Sequence, residues 1–95
     1  MYVKVRNING TSDNLPTRGY TSWLDYWIKK IKPNTNYVHC SNKTCDRLAE
    51  VGGHVKRVNV KDDSWFITPL CKSCNGKVSS ETYFVSKDKL CPIKL

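Results

Sequence analysis

Two closely spaced cysteine pairs limit what this chain can fold into more than any other feature. Cys40 and Cys45 have four residues between them, Cys71 and Cys74 have two, and a 25-residue segment separates the pairs. Zinc prefers four soft ligands in a tetrahedron, and each close pair can supply two thiolates from one tight turn. The spacing therefore predicts one structural Zn²⁺ ion held by these four cysteines. The alternative is four thiols that cluster without a metal.

Two further residues bear on this prediction. His39 precedes Cys40 and offers an alternative ligand in its place, whereas Cys91 has no partner at short spacing and is interpreted as a small apolar residue. The cysteine count is odd, and the N-terminal residues lack the apolar core of a signal peptide. Both observations predict a protein of the reducing cytoplasm. Cysteine clusters in that compartment hold metal more often than they form disulfides.

The length and the composition exclude several classes of protein. A chain of 95 residues is too short to divide its apolar residues between two cores. We expect one domain over residues 1–95, with a strand and a Trp-rich helix in 1–38, a zinc finger in 39–78, and a strand and tail in 79–95. The hydrophobic fraction of 39% is too high for a disordered chain. No apolar run of about 18 residues exists, so we expect no membrane segment.

The N-terminal third carries one strand pattern and one helix pattern. Alternation over residues 2–6 predicts a short strand. Apolar residues recur with a helical period over residues 23–31, Thr21 or Ser22 can cap the start, and Pro33 ends the helix. The two tryptophans on this stripe either pack in the core or stack on bases, and the helical spacing favours the core.

The remainder of the chain predicts strands and one short helix. Residues 50–60 and 64–68 are expected to form a hairpin whose turn lies near residues 61–63. A short helix is expected to begin around Cys74, and residues 82–85 are expected to add an edge strand. The sequence therefore predicts a small α+β fold.

The charge is the main indication of a partner. Sixteen Lys and Arg residues against eight Asp and Glu give a net charge of +8. A small basic domain favours DNA or RNA as a partner, although a soluble basic surface without a partner is the alternative. The candidate phosphate contacts are Lys29, Lys30, Lys32, Lys56, Arg57, Lys72 and Lys77.

Residues 40–77 resemble the zinc-ribbon form of the HNH (His-Me finger) endonucleases through CSNKTC, VGGHV, ITPLCKSCN and the lysine that follows. The resemblance implies a treble clef, in which a zinc knuckle leads into a β-hairpin and then a short helix. The N-terminal strand and amphipathic helix would be additions to it. His54 matches the general base of that family. Asn75 matches a ligand of the catalytic cation, Mg²⁺ or Mn²⁺.

This chain departs from the family pattern at two places. Many HNH proteins carry a metal-binding aspartate directly before the histidine, and here that residue is Gly53. The middle asparagine that orients the histidine has no counterpart among residues 62–64. The alternative interpretations are a strand histidine bonded to the backbone for His54 and a helix cap for Asn75.

The run NINGTSDNLPTRGYTSWLDYWIKK, joined to these cysteine motifs, resembles small proteins of bacteria, their phages and mobile elements. That resemblance implies no activity. Three functions remain open. The favoured one is nucleic-acid binding by a degenerate HNH-like fold that does not cleave. The alternatives are a metal-dependent endonuclease that uses His54 and Asn75, and a phage or mobile-element protein that inhibits a host protein.

Overall fold

The computed structural model describes residues 1–8, 19–35, 38–61 and 63–93. The predicted class is confirmed, because the described residues form an α+β fold with one antiparallel sheet. The strands are β1 (Tyr2–Asn7), β2 (Val51–Arg57), β3 (Trp65–Leu70), β4 (Thr82–Ser86) and β5 (Cys91–Pro92), and the helices are α1 (Trp23–Ile31) and α2 (Lys72–Asn75). The strand order in the sheet is β4-β1-β2-β3-β5, and a 3-10 turn, Lys87–Lys89, precedes β5.

The hairpin of β2 and β3 has an unbroken register that runs from Val51 opposite Leu70 to Lys56 opposite Trp65. Side chains alternate between the two faces of a strand, so this register assigns each residue to one face. We call the face that carries Val55 the cysteine face, because Val55 shares an apolar cluster with Cys40, Cys71 and Cys74. The opposite face is called the helix face, because α1 packs on it.

Helix α1 begins where the sequence pattern predicts. The Ser22 hydroxyl oxygen accepts a hydrogen bond from the Asp25 backbone N–H at 3.0 Å, so Ser22 is the N-cap. Trp27 is fully buried, which confirms the core interpretation for that tryptophan. Its indole N–H donates to the carbonyl oxygen of Lys89 at 2.9 Å. Among the described residues no helix has the length and apolarity to cross a lipid bilayer.

Close packing of α1 on the sheet depends on a glycine in β2. A Cβ atom added at Gly52 would lie 2.5 Å from the backbone carbon of Trp23. The α1 side of the core contains Trp27, Val38, Ile67 and Cys91. Cys91, which the sequence analysis interprets as a small apolar residue, is buried there at 4% exposure.

The structure corrects several predicted boundaries. β2 ends at Arg57 rather than near residue 60, because Asn59 adopts a left-handed backbone with φ of 65°. β3 continues to Leu70, and α2 begins at Lys72 rather than around Cys74. The edge strand is confirmed as β4, which pairs with β1. β5 was not predicted, since two residues give no pattern. Residues 9–18 and Asp62 lie outside the described part of the chain.

Candidate metal centre

Four cysteine sulfur atoms converge on the cysteine face. The Sγ atoms of Cys40, Cys45, Cys71 and Cys74 all lie within 4.8 Å of one another. The first pair comes from the loop that leads to β2. Cys71 caps α2, and Cys74 lies within that helix. The hairpin of β2 and β3 reverses the chain between the pairs and brings the second beside the first. This cluster could hold a metal ion.

One sulfur–sulfur distance in the cluster equals that of a zinc site, and all of them are within 4.8 Å. A Zn–S bond of about 2.3 Å in a tetrahedron gives sulfur–sulfur distances of about 3.8 Å. The Sγ atoms of Cys45 and Cys71 are 3.8 Å apart. The cluster includes Cys40 and not His39, which is exposed and forms a backbone bridge with Leu48.

Asn42 organises the turn between the first two cysteines, and the sequence prediction missed it. Its side-chain oxygen accepts hydrogen bonds from the backbone N–H and the hydroxyl of Thr44, both at 3.2 Å. Its Nδ2 donates to the Sγ of Cys74 at 3.4 Å. Such bonds orient ligands and stabilise thiolate charge. The available signal was the tendency of asparagine to hydrogen-bond the backbone two residues further on.

The ionisation of the thiols differs across the cluster. Burial raises the pKa of Cys40 to about 12. Burial also acts to raise the pKa of Cys71, but the backbone N–H of Cys74 and the neighbouring thiols lower it by more. The Cys74 N–H donates to the Cys71 sulfur at 3.4 Å. Zinc binds thiolates, so loading the cluster would release protons.

Asn7 at the end of β1 supports the second pair of cysteines, and it also escaped prediction. It is 2% exposed, and its Nδ2 donates to the carbonyl oxygens of Cys74, Asn75 and Lys77 at 2.9, 3.2 and 3.0 Å. These carbonyls lie in and just after the last turn of α2, where a helix leaves such groups without an internal partner. The Tyr83 hydroxyl in turn donates to Asn7 Oδ1. Nothing local in the sequence signals this long-range network.

The structure does not bring His54 and Asn75 together. His54 pairs with Ile67, is 7% exposed, and its ring centroid lies 4.9 Å from that of Trp23 in α1. It therefore belongs to the helix face, and burial lowers its pKa. The adjacent Gly53 faces the other way, where an added Cβ would lie 2.8 Å from Asn75 Oδ1. The two residues are on opposite sides of the sheet.

The alternative interpretation of Asn75 as a helix cap is wrong. Asn75 is the last residue of α2, whose N-cap is Cys71 and whose C-cap is Gly76. His54, by contrast, lies in a strand, as its alternative interpretation expected, and it is buried.

The seven predicted phosphate contacts do not form one surface. Three of them (Lys29, Lys30 and Lys32) lie at the end of α1, where Lys29 pairs with Asp25 at 3.2 Å. Lys56 is on the helix face and lies 3.5 Å from Asp63. Arg57 is on the cysteine face, over the ring of Phe66. The last two flank α2, Lys72 at its first residue and Lys77 paired with Glu81 at 3.3 Å.

Comparisons with known proteins found no match for this chain. No family model, curated protein or solved structure matches the chain. The interpretation of the site therefore depends on its own geometry.

Proposed function

We propose that this chain is a small basic protein with one structural Zn²⁺ ion and a degenerate HNH-like treble clef, and that it binds nucleic acid without cleaving it. The observation that carries this proposal is the proximity of Gly53 to Asn75, since a Cβ atom added at Gly53 would lie 2.8 Å from Asn75 Oδ1. In the family that the chain resembles, an aspartate at the position of Gly53 and a residue at the position of Asn75 bind the same cation. The corresponding positions are neighbours here, but one of them has no side chain.

The surroundings of Gly53 leave no room for a carboxylate. A Cβ atom there would lie 2.5 Å from the Leu70 Cδ1 atom, and Leu70 is fully buried. Any side chain at this position would therefore require the side chains of Leu70 and Asn75 to shift. His54, the counterpart of the general base, lies under Trp23 on the far face. A water that His54 activates would not be adjacent to a cation held by Asn75, which supports binding without cleavage.

The order of the elements supports the treble clef. The turn with Cys40 and Cys45 is followed by the β2–β3 hairpin, and then by α2 with Cys71 and Cys74. Zinc in this position would link the loop that precedes the hairpin in the chain to the start of the helix that follows it. Small domains gain from such a link, because their apolar cores alone supply little stability.

The charge supports a nucleic-acid partner. Four thiolates around one zinc ion carry a net charge of −2, which would leave the loaded chain near about +6 from its formal +8. A protein with this excess attracts phosphate chains through counterion release, and such binding weakens as salt increases.

Binding of labelled DNA and RNA oligonucleotides to the zinc-loaded protein, measured over a series of salt concentrations, tests this proposal. We expect the logarithm of the association constant to fall linearly with the logarithm of salt, by about 0.7 to 0.9 for each phosphate contact. Absence of binding at low salt, or binding that salt does not change, would contradict the proposal.

Incubation with plasmid in Mg²⁺ or Mn²⁺ tests the second half of the proposal. We expect no cutting above that of the His54→Ala variant, because His54 and Asn75 are on opposite faces. Cutting that depends on His54 would instead support the endonuclease.

A further inference from the structure

Helix α1 covers only part of the helix face. It packs mainly on β2, β3 and β5, and the part formed by β1 and β4 extends beyond it. The alternation along β1 places Tyr2, Lys4 and Arg6 on this uncovered part, because Val5 between them belongs to the core of the other face. We call the set Tyr2, Lys4, Arg6, Lys56 and Phe84 the open platform.

Two exposed aromatic rings lie on the open platform. Tyr2 is 51% exposed and Phe84 is 45% exposed, whereas Val5, Tyr83 and Val85 on the other face of the same strands are buried. A lysine ammonium lies over one face of each ring, so a nucleobase would stack on the opposite face or displace the ammonium. The Lys43 Nζ lies 4.6 Å from the centroid of Tyr2, and the Lys4 Nζ lies 5.6 Å from that of Phe84. An aromatic ring with an adjacent cation is a suitable support for a nucleobase and its phosphate.

The register of the sheet concentrates positive charge next to Phe84, on the side away from Tyr2. Arg6 lies directly opposite Lys56 on the neighbouring strand. Like charges directly opposite one another destabilise a sheet, so an anion bound between them would relieve the repulsion. The Asp63 carboxylate is 3.5 Å from Lys56 but is 96% exposed, and so it screens little of this charge. Among the described residues no ion pair joins Lys4 or Arg6 to a carboxylate.

From these features we infer that the open platform binds a single-stranded nucleic acid. Bases stack on Tyr2 and Phe84, and the phosphates contact Lys4, Arg6 and Lys56 of the platform together with Lys43, whose ammonium lies over Tyr2. This inference depends on the proposed function and specifies both its ligand class and its surface. It also shifts the phosphate contacts away from the lysines of α1, where Lys29 is already paired with Asp25.

The spacing of the two rings favours a single strand over a duplex. Phe84 is opposite Lys4, two residues along β1 from Tyr2. The strand rise and the distance between strands place the two Cα atoms about 8 Å apart. Successive bases in a duplex are separated by about 3.4 Å along each strand and have no free face. Two bases can therefore occupy both rings only when they are unstacked from one another, as in a single strand.

Fluorescence anisotropy with oligo-dT, oligo-U and a duplex of equal length tests this inference. We expect the wild type to bind a single strand more tightly than the duplex. Tyr2→Ala and Phe84→Ala should each weaken single-strand binding about 5- to 150-fold, with little change in the salt slope. Arg6→Gln should instead lower that slope by about 0.7. Oligo-dT and oligo-U both present unpaired bases and phosphates, as the proposed ligand does. Comparison of their affinities distinguishes DNA from RNA.

Matched controls are available elsewhere on the surface. Leu48 is 51% exposed, so Leu48→Ala controls for loss of an exposed apolar side chain. Arg47→Gln controls for loss of one charge, since Arg47 lies on the exposed loop before β2. We expect both variants to bind as the wild type does, and we expect all the variants to be folded at the temperature of the binding assay.

Each other outcome overturns a definite part of the account. If the wild type binds a single strand but both alanine variants of the platform bind equally well, the platform is wrong and nucleic-acid binding stands. Preference for the duplex also overturns the platform. If the wild type binds none of the three probes, both the platform and the proposed function are wrong.

Discussion

At the scale of single residues, two buried asparagines hold the second cysteine pair in place. Asn42 donates to the Cys74 sulfur from the turn of the first pair, and Asn7 donates to backbone carbonyls of α2 from β1. Both amides lie in the core, at 6% and 2% exposure. A buried amide without hydrogen-bond partners destabilises a fold, and both of these amides have partners at the second cysteine pair.

Asn7→Ala should lower the free energy of unfolding by about 1–3 kcal/mol, because it leaves the Tyr83 hydroxyl and the α2 carbonyls without a buried partner. Chemical denaturation with zinc present measures the change. Tyr83→Phe serves as the comparison, and the double variant should cost less than the sum of the two single changes. Equal stability of Asn7→Ala and the wild type would rule out this network.

His54 should make folding sensitive to mild acid. Burial holds its pKa below the ordinary value of 6.5, so the folded state resists a proton that the unfolded state accepts. The neutral imidazole therefore contributes stability above pH 6.5, and this contribution is lost as the pH falls through the lower folded-state pKa.

The difference in stability between the wild type and His54→Gln, followed from neutral to acid pH, isolates this contribution. Zinc release affects both proteins in the same way and cancels in the difference. An NMR titration that places the pKa of His54 above 6.5 would contradict the buried position.

At the scale of elements, spacing and periodicity were sufficient for the parts that depend on local sequence. The helical stripe and Ser22 predicted α1, and the two cysteine pairs predicted the cluster. The predictions that failed concern features that depend on the tertiary position of a residue. Adjacent strand residues such as Gly53 and His54 must face opposite ways, but only the packing of α1 and α2 shows which element each of them meets. β5 depends entirely on its pairing with β3.

The cysteine cluster predicts that substitutions of Cys71 and Cys91 have different effects on zinc binding and stability. Cys71→Ser should abolish stoichiometric zinc binding and unfold the domain, since three remaining thiolates hold the metal poorly. Cys91→Ala should keep one zinc per chain, because Cys91 lies in the α1 side of the core and outside the cluster. Metal analysis and thermal melting measure both effects. A Cys71→Ser protein that melts like its parent would exclude the four-cysteine site.

The packing of α1 on β2 predicts that a methyl group added at Gly52 destabilises the fold. Gly52→Ala would place a Cβ atom 2.5 Å from the Trp23 backbone, which cannot move without shifting the helix. We expect a loss of about 1–3 kcal/mol of unfolding free energy. Gly76→Ala is the control, because its nearest contact would be an ordinary 3.4 Å. Equal effects of the two substitutions would mean that α1 does not lie against Gly52.

At the scale of the whole molecule, the two faces of the sheet have separate tasks. The cysteine face holds the proposed zinc ion and the network of Asn7, and so it keeps the fold together. On the helix face, α1 packs on β2, β3 and β5, and the part on β1 and β4 beyond α1 carries most of the basic and aromatic side chains of the open platform. The sequence predicted the charge and its sign. It did not predict this surface, because the surface joins residues from both ends of the chain.

Native mass spectrometry of the purified protein with a short single-stranded oligonucleotide and Mg²⁺ tests the central claim most directly. It reports metal content, binding and the length of the nucleic acid in one spectrum. The account predicts a complex of one protein chain, one zinc ion and one intact oligonucleotide, which dissociates as the ionic strength is raised. A chain without zinc, an oligonucleotide that stays unbound at low ionic strength, or a shortened oligonucleotide would contradict it.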